Sequence, residues 1–217
     1  MSMNINISQQ FGLKKVDSTN VVKRISLFNT STSFSYNFLS DAQKFSDINS
    51  SLNANPSSWL SVSVSLTHTL YSNGSTQPNG LFLRSANMNS SVRWKFNIPF
   101  ASANSSDTSE NEVRDCSINI SHYLSKNIES GPITHWIKYD IKTFITPNWR
   151  IDYNYYYDVE NSKKISDEFH LWRDLHCWEI LFIWVPSGVR AGYYFKINVK
   201  EIPEIKIEKT SGNVRWR

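Results

Sequence analysis

Residues 173–179 (RDLHCWE) hold the densest set of reactive side chains in the sequence: Arg173, Asp174, His176, Cys177, Trp178 and Glu179. His176 could act as a base toward a serine, but no Gly-x-Ser-x-Gly or other nucleophile signature lies nearby. His68, His122, His135 and His170 do not form a ligand set, because no His-x-x-His or Cys-x-x-Cys spacing occurs. The expectation is therefore no catalytic residue, no metal and no cofactor. Cys177 can pack as a small apolar side chain. The two cysteines, Cys116 and Cys177, can pair, stay free or bond outside the chain.

These side chains must be positioned by residues 169–185, whose β-branched and aromatic content reads as one strand of about 17 residues. That exceeds the usual length of about 3 to 10. Its alternation also changes phase. Trp178, Ile180, Phe182 and Trp184 share one face, yet upstream that same face would carry Asp174 and His176. A β-bulge between about Arg173 and Cys177 would reconcile the two halves.

The chain has 217 residues, enough for one large β domain or two small ones. Aromatics make up 14%, yet the mean hydropathy is −0.42, since Ser and Asn are abundant. That combination suits a sheet with one very apolar face and one wet face. The formal net charge of +4 comes from scattered basic residues, so nucleic acid is not an expected partner. Residues 1–13 lack the basic region and continuous apolar core of a secretory signal. The longest uninterrupted apolar run, 180–185, is far short of the about 20 residues of a membrane helix. Any crossing of a membrane would use strands.

About nine strands are legible, at residues 3–13, 26–39, 59–71, 91–100, 117–124, 133–145, 149–159, 169–185 and 193–199. The cleanest sets Leu60, Val62, Val64, Leu66 and Leu70 against Ser61, Ser63, Ser65, Thr67 and Thr69. Residues 14–24 read as a charged hairpin connection, and 40–58, 72–90 and 101–112 as loops. Residues 146–148 read as a tight turn, and the segment after Pro203 as a tail. No linker divides the chain. Because the polar faces carry Ser, Thr and Asn while the apolar faces are tipped with aromatics, a transmembrane barrel is favoured over a soluble sandwich. On that reading Arg93, Lys95, Lys138, Lys142, Arg150, Lys196 and Lys200 face the lumen. Asp140, Asp152 and Asp158 share those faces.

The stretches 6–15 (NISQQFGLKK), 33–38 (SFSYNF), 146–153 (TPNWRIDY), 173–179 (RDLHCWE) and 192–200 (GYYFKINVK) resemble the C-terminal barrel of LptD, the LPS-assembly protein, in its Bacteroidetes-like form. The resemblance spans nearly the whole chain, and 173–179 is its most specific part. It implies an all-β antiparallel transmembrane β-barrel segment, about nine strands of a larger barrel, over residues 1–217. It also implies a bacterial outer-membrane location and a translocon that places lipopolysaccharide in the outer leaflet. Outer-membrane lipid, a plug lipoprotein and periplasmic LPS bridge proteins are the implied partners. The signal peptide and periplasmic jellyroll of such proteins are not in the sequence, so it reads as a C-terminal piece. By the same resemblance Cys177 would form a disulfide with a periplasmic domain. Arg173, Asp174, His176 and Glu179 would form a polar network at the bulge, holding the barrel wall or contacting the plug. The competing reading is a soluble all-β carbohydrate-binding module, with aromatics as sugar platforms.

Overall fold

Segments that alternate apolar and polar residues bury nothing alone, and pairing with a neighbour satisfies their backbone groups. The computed structural model describes residues 1–16, 22–72, 74–100, 112–128 and 131–214. It contains twelve strands: β1 (Ser2–Val16), β2 (Val22–Asn37), β3 (Ile48–Ser57), β4 (Leu60–Thr69), β5 (Phe82–Phe100), β6 (Glu112–Asn127), β7 (Thr134–Thr146), β8 (Trp149–Asp158), β9 (Lys163–Asp174), β10 (Trp178–Val185), β11 (Gly192–Val199) and β12 (Lys206–Gly212). They form one antiparallel sheet in chain order, and no helix occurs among the described residues. Two compact units are present. One comprises 1–91 with 122–135, the other 92–121 with 136–217. The division passes through β5, β6 and β7, not through a linker.

Twelve strands replace the expected nine for three physical reasons. Residues 48–57 read as loop because Asn and Ser are poor strand formers in isolation. In place they form β3, paired on both sides with β2 and β4. The segment after Pro203 contributes β12, a short edge strand paired with β11. The 17-residue stretch is two strands, β9 and β10, folded back on each other, with Asp174 opposite Glu179 and Phe169 opposite Trp184. No bulge lies between Arg173 and Cys177. The change of phase is the signature of a chain reversal.

The expected connection at 14–24 is strand at both ends, and its middle lies outside the described residues, as does most of 101–112. β5 starts at Phe82, well before the expected 91.

Directly opposed residues of an antiparallel pair share a face. In the first unit Met3, Ile5, Ile7 and Phe11 lie opposite Tyr36, Phe34, Thr32 and Phe28, and Leu52 and Ala54 lie opposite Val64 and Val62. In the second unit Ile180, Phe182 and Trp184 lie opposite Ile197, Phe195 and Tyr193. Several side chains of these faces are exposed: Ile7 by 51%, Phe11 by 44% and Trp184 by 49%, and on β5 and β7 so are Trp94 and Ile145. Among the described residues, a buried cluster of Ile183, Val185, Tyr194 and Val214 sits on the opposite side of β10 and β11.

Candidate functional site: the polar face

Across β1 to β4, in the first unit, the polar face carries no formal charge until the far end of β1 and β2, where Lys14 lies opposite Arg24. Asn4, Asn6, Ser8 and Gln10 lie opposite Ser35, Ser33, Ser31 and Asn29. Asn29, Ser31 and Ser33 lie opposite Asn53, Ser51 and Asn49, which in turn oppose Ser63, Ser65 and Thr67. The side chains bond across strands. Ser31 Oγ and Ser51 Oγ are 2.7 Å apart, Ser63 donates to Asn53 Oδ1 at 2.9 Å, and Thr67 donates to Asn49 Oδ1 at 3.1 Å. No Asp, Glu, Lys or Arg occurs at 2–13, 25–37, 48–57 or 60–69. A surface of hydroxyls and amides offers donors and acceptors together, the chemistry that suits sugar hydroxyls and water.

The connections of this unit differ in length at its two ends. β3 and β4 are joined by two residues at 58–59, whereas 38–47 and 70–81 are long loops. The long loops are tied to each other: Phe45 N donates to Tyr71 Oη at 2.8 Å, Gln43 N to Thr76 O at 3.3 Å, and Arg84 pairs with Asp47 at 2.5 Å.

In the second unit the polar face is charged but largely self-neutralised. Lys138 pairs with Asp140 at 3.2 Å and Arg150 with Asp152 at 3.1 Å. Lys142 lies opposite Asp152, Lys196 opposite Glu208, and Lys200 is paired with Asp174. Arg93 and Lys95 are exposed, alternating with Val92, Trp94 and Phe96 along β5. Each such exposed pair contributes no more than about 1 kcal/mol, so the arrangement bears on the local field more than on stability. Two successive cross-strand pairs swap their members: Trp149 opposes Arg173 and Arg150 opposes Trp172. Arg173 lies 4.6 Å from the Trp149 ring centroid on the apolar face, and Arg150 lies 5.5 Å from that of Trp172 on the polar face.

The segment 173–179 is the tip of the β9–β10 hairpin. Leu175 and Trp178 exchange both backbone hydrogen bonds, at 2.8 and 3.0 Å, which leaves His176 and Cys177 as the exposed two-residue loop. Asn148 O accepts from Asp174 N at 2.8 Å and Cys177 O from Lys200 N at 3.0 Å, so the tip is tied to the connections on either side. The expected network of Arg173, Asp174, His176 and Glu179 is not assembled. Arg173 turns to the apolar face, His176 is in the loop, and only Asp174 and Glu179 share a face, with Lys200 beside Asp174. Trp178 is on the apolar face opposite Val199. The thiol that packs inside is Cys116, 1% exposed beneath Thr143, and not Cys177. Both cysteines are free.

One juxtaposition escaped the spacing argument. His122 on β6 and His135 on β7 bring their Nε2 atoms to 2.9 Å. Strand pairing sets such meetings, and no fixed interval in the chain marks them.

Residues 1–71 match the family model described as LptD protein, which makes this stretch, holding β1 to β4 in full, an LptD-related region. The resembling stretches 6–15 and 33–38 lie within it; 146–153, 173–179 and 192–200 lie beyond it. No curated protein and no solved structure matches the chain.

Proposed function

We propose that this chain forms part of an outer-membrane β-barrel that passes lipopolysaccharide to the outer leaflet, with further strands completing the barrel. The observation that carries the reading is the match of residues 1–71 to the LptD family model. The exposed apolar side chains support it: Ile7, Trp94 and Ile145 among them would meet lipid, and the polar faces would line the passage. The uncharged part of the β1 to β4 face would slide past sugar hydroxyls. Arg93, Lys95, Lys138, Arg150 and Lys200 would meet phosphate, the last three without holding it, since each already carries a carboxylate partner. Barrel proteins of this class place short turns toward the periplasm and long loops outside. The two-residue connection at 58–59 and the tip at 176–177 would therefore be periplasmic, with 38–47 and 70–81 outside. A periplasmic Cys177 would be available for a disulfide with a periplasmic domain. A plug lipoprotein and periplasmic bridge proteins would be the partners, and the chain itself would carry out no catalysis.

The test places a photo-crosslinking amino acid at Ser65 or at Val64 of the chain targeted to an outer membrane. Recovery in a urea-resistant membrane fraction, with a lipopolysaccharide adduct at Ser65 and none at Val64, is expected. A membrane-embedded chain with no adduct at Ser65 would end the transport reading and leave the barrel. Recovery as a soluble protein would end both and favour the carbohydrate-binding module, for which the uncharged ladder is the natural surface.

A further inference from the structure

We propose that His122 and His135 form a two-imidazole chelate for a divalent transition metal, with Cu(II) or Ni(II) preferred over Zn(II). The two residues are anchored on β6 and β7, which are neighbours in the sheet. Their Nε2 atoms stand 2.9 Å apart, with ring centroids at 5.0 Å and ring planes at 86°. Imidazole nitrogen binds such ions at about 2.0 to 2.1 Å, so an ion shared by two nitrogens at the observed separation subtends about 90°. That is the cis angle of a tetragonal ion and is tighter than the tetrahedral angle zinc takes. The stability order of divalent ions favours copper on the same donors.

A hydrogen bond across this distance requires one ring to carry its hydrogen on Nε2 and the other to accept it there. For both Nε2 lone pairs to reach an ion, the donating ring moves that hydrogen to Nδ1, with no net proton released from the neutral pair. Both rings would then rotate until each Nε2 lone pair points at the ion, about 45° off the line joining the two nitrogens. Among the described residues no group of three or more His, Cys, Asp or Glu side chains gathers around an ion site. Water would fill the remaining positions, so the site would load and unload reversibly. Loaded, it would fasten β6 to β7 beside the connection at 128–133. The inference is independent of the transport reading.

The test uses the full chain, purified in detergent and titrated with CuCl2. Pulsed electron paramagnetic resonance is expected to show one Cu(II) bound through two equatorial imidazole nitrogens. His122→Asn or His135→Asn should each leave one nitrogen and weaken binding by about 100-fold, the loss of a second tethered ligand. A wild-type spectrum with one imidazole, or unchanged affinity in His122→Asn/His135→Asn, overturns the proposal. A measurement on the wild-type chain guards against misfolded variants: Cu(II) should protect both rings from diethylpyrocarbonate, read by mass spectrometry. Equal modification with and without Cu(II) overturns the proposal as well.

Discussion

Ser63 and Val64 are consecutive, yet they belong to opposite faces of the sheet. Ser63 bonds to Asn53 on the polar face, and Val64 sits opposite Leu52 on the apolar one. Val64→Arg should therefore cost about 2 to 4 kcal/mol if the site lies near the bilayer midplane, and Ser63→Arg little. Urea unfolding of the two variants in lipid vesicles measures the difference, and equal costs would contradict the assignment of faces. The cysteines differ as sharply. A water-soluble maleimide should label Cys177 on the folded chain and Cys116 only after denaturation, read by peptide mass, because Cys116 is 1% exposed and Cys177 lies in a hairpin loop. At this scale the sequence told which residues alternate, and so which side chains of β4 share a face. It could not tell that His122 meets His135, since that contact depends on a register that two strands agree on only when paired.

At the scale of elements, legibility followed side-chain size. Strands with bulky apolar residues every second position, such as β4 and β8, declared themselves. β3 did not, because Ile48, Leu52 and Ala54 alternate with Asn and Ser and the strand depends on neighbours at both sides. The β9–β10 reversal was hidden for a different reason. Its loop, His176-Cys177, has negative φ at both residues and contains neither Gly nor Asn, so the usual two-residue hairpin signal is absent. Where close approach of two strands does demand glycine, the demand is severe. Gly192 and Gly212 face each other at one end of the β11–β12 ladder with φ of +147° and +77°. A Cβ at 192 would stand 2.0 Å from Ser211 O, and one at 212 would stand 2.2 Å from Ala191 O. Gly192→Ala should lower stability by at least about 1 to 3 kcal/mol through strain alone. A drop in the denaturation midpoint of that size is the expected result, and an unchanged midpoint would mean the ladder end is not formed.

For the whole molecule, the decisive quantity is the apolar surface left uncovered. Soluble monomers rarely expose contiguous apolar patches beyond a few hundred Å². Here Met3, Ile7, Phe11 and Leu13 on β1, and Trp178 and Trp184 on β10, are all exposed. β1 adds an edge strand of 15 residues with no charge from Ser2 to Leu13, whereas β12 is seven residues long and carries Lys206, Glu208 and Lys209. Charged, short edges resist further pairing and neutral, long ones invite it. The purified chain should therefore need detergent, self-associate through β1, and transfer no lipopolysaccharide when reconstituted alone. Size-exclusion chromatography without detergent is the check. A monodisperse monomer that unfolds cooperatively would speak for the soluble module. The strand order has a consequence in time as well. Every strand lies beside its neighbours in sequence, so the first contact each strand needs is always the nearest one along the chain. Single hairpins close in about 1 to 10 μs, and loop-closure entropy stays small when partners are this near. Such a chain can zip forward one strand at a time from any hairpin that forms first, and a misaligned strand delays only the next addition.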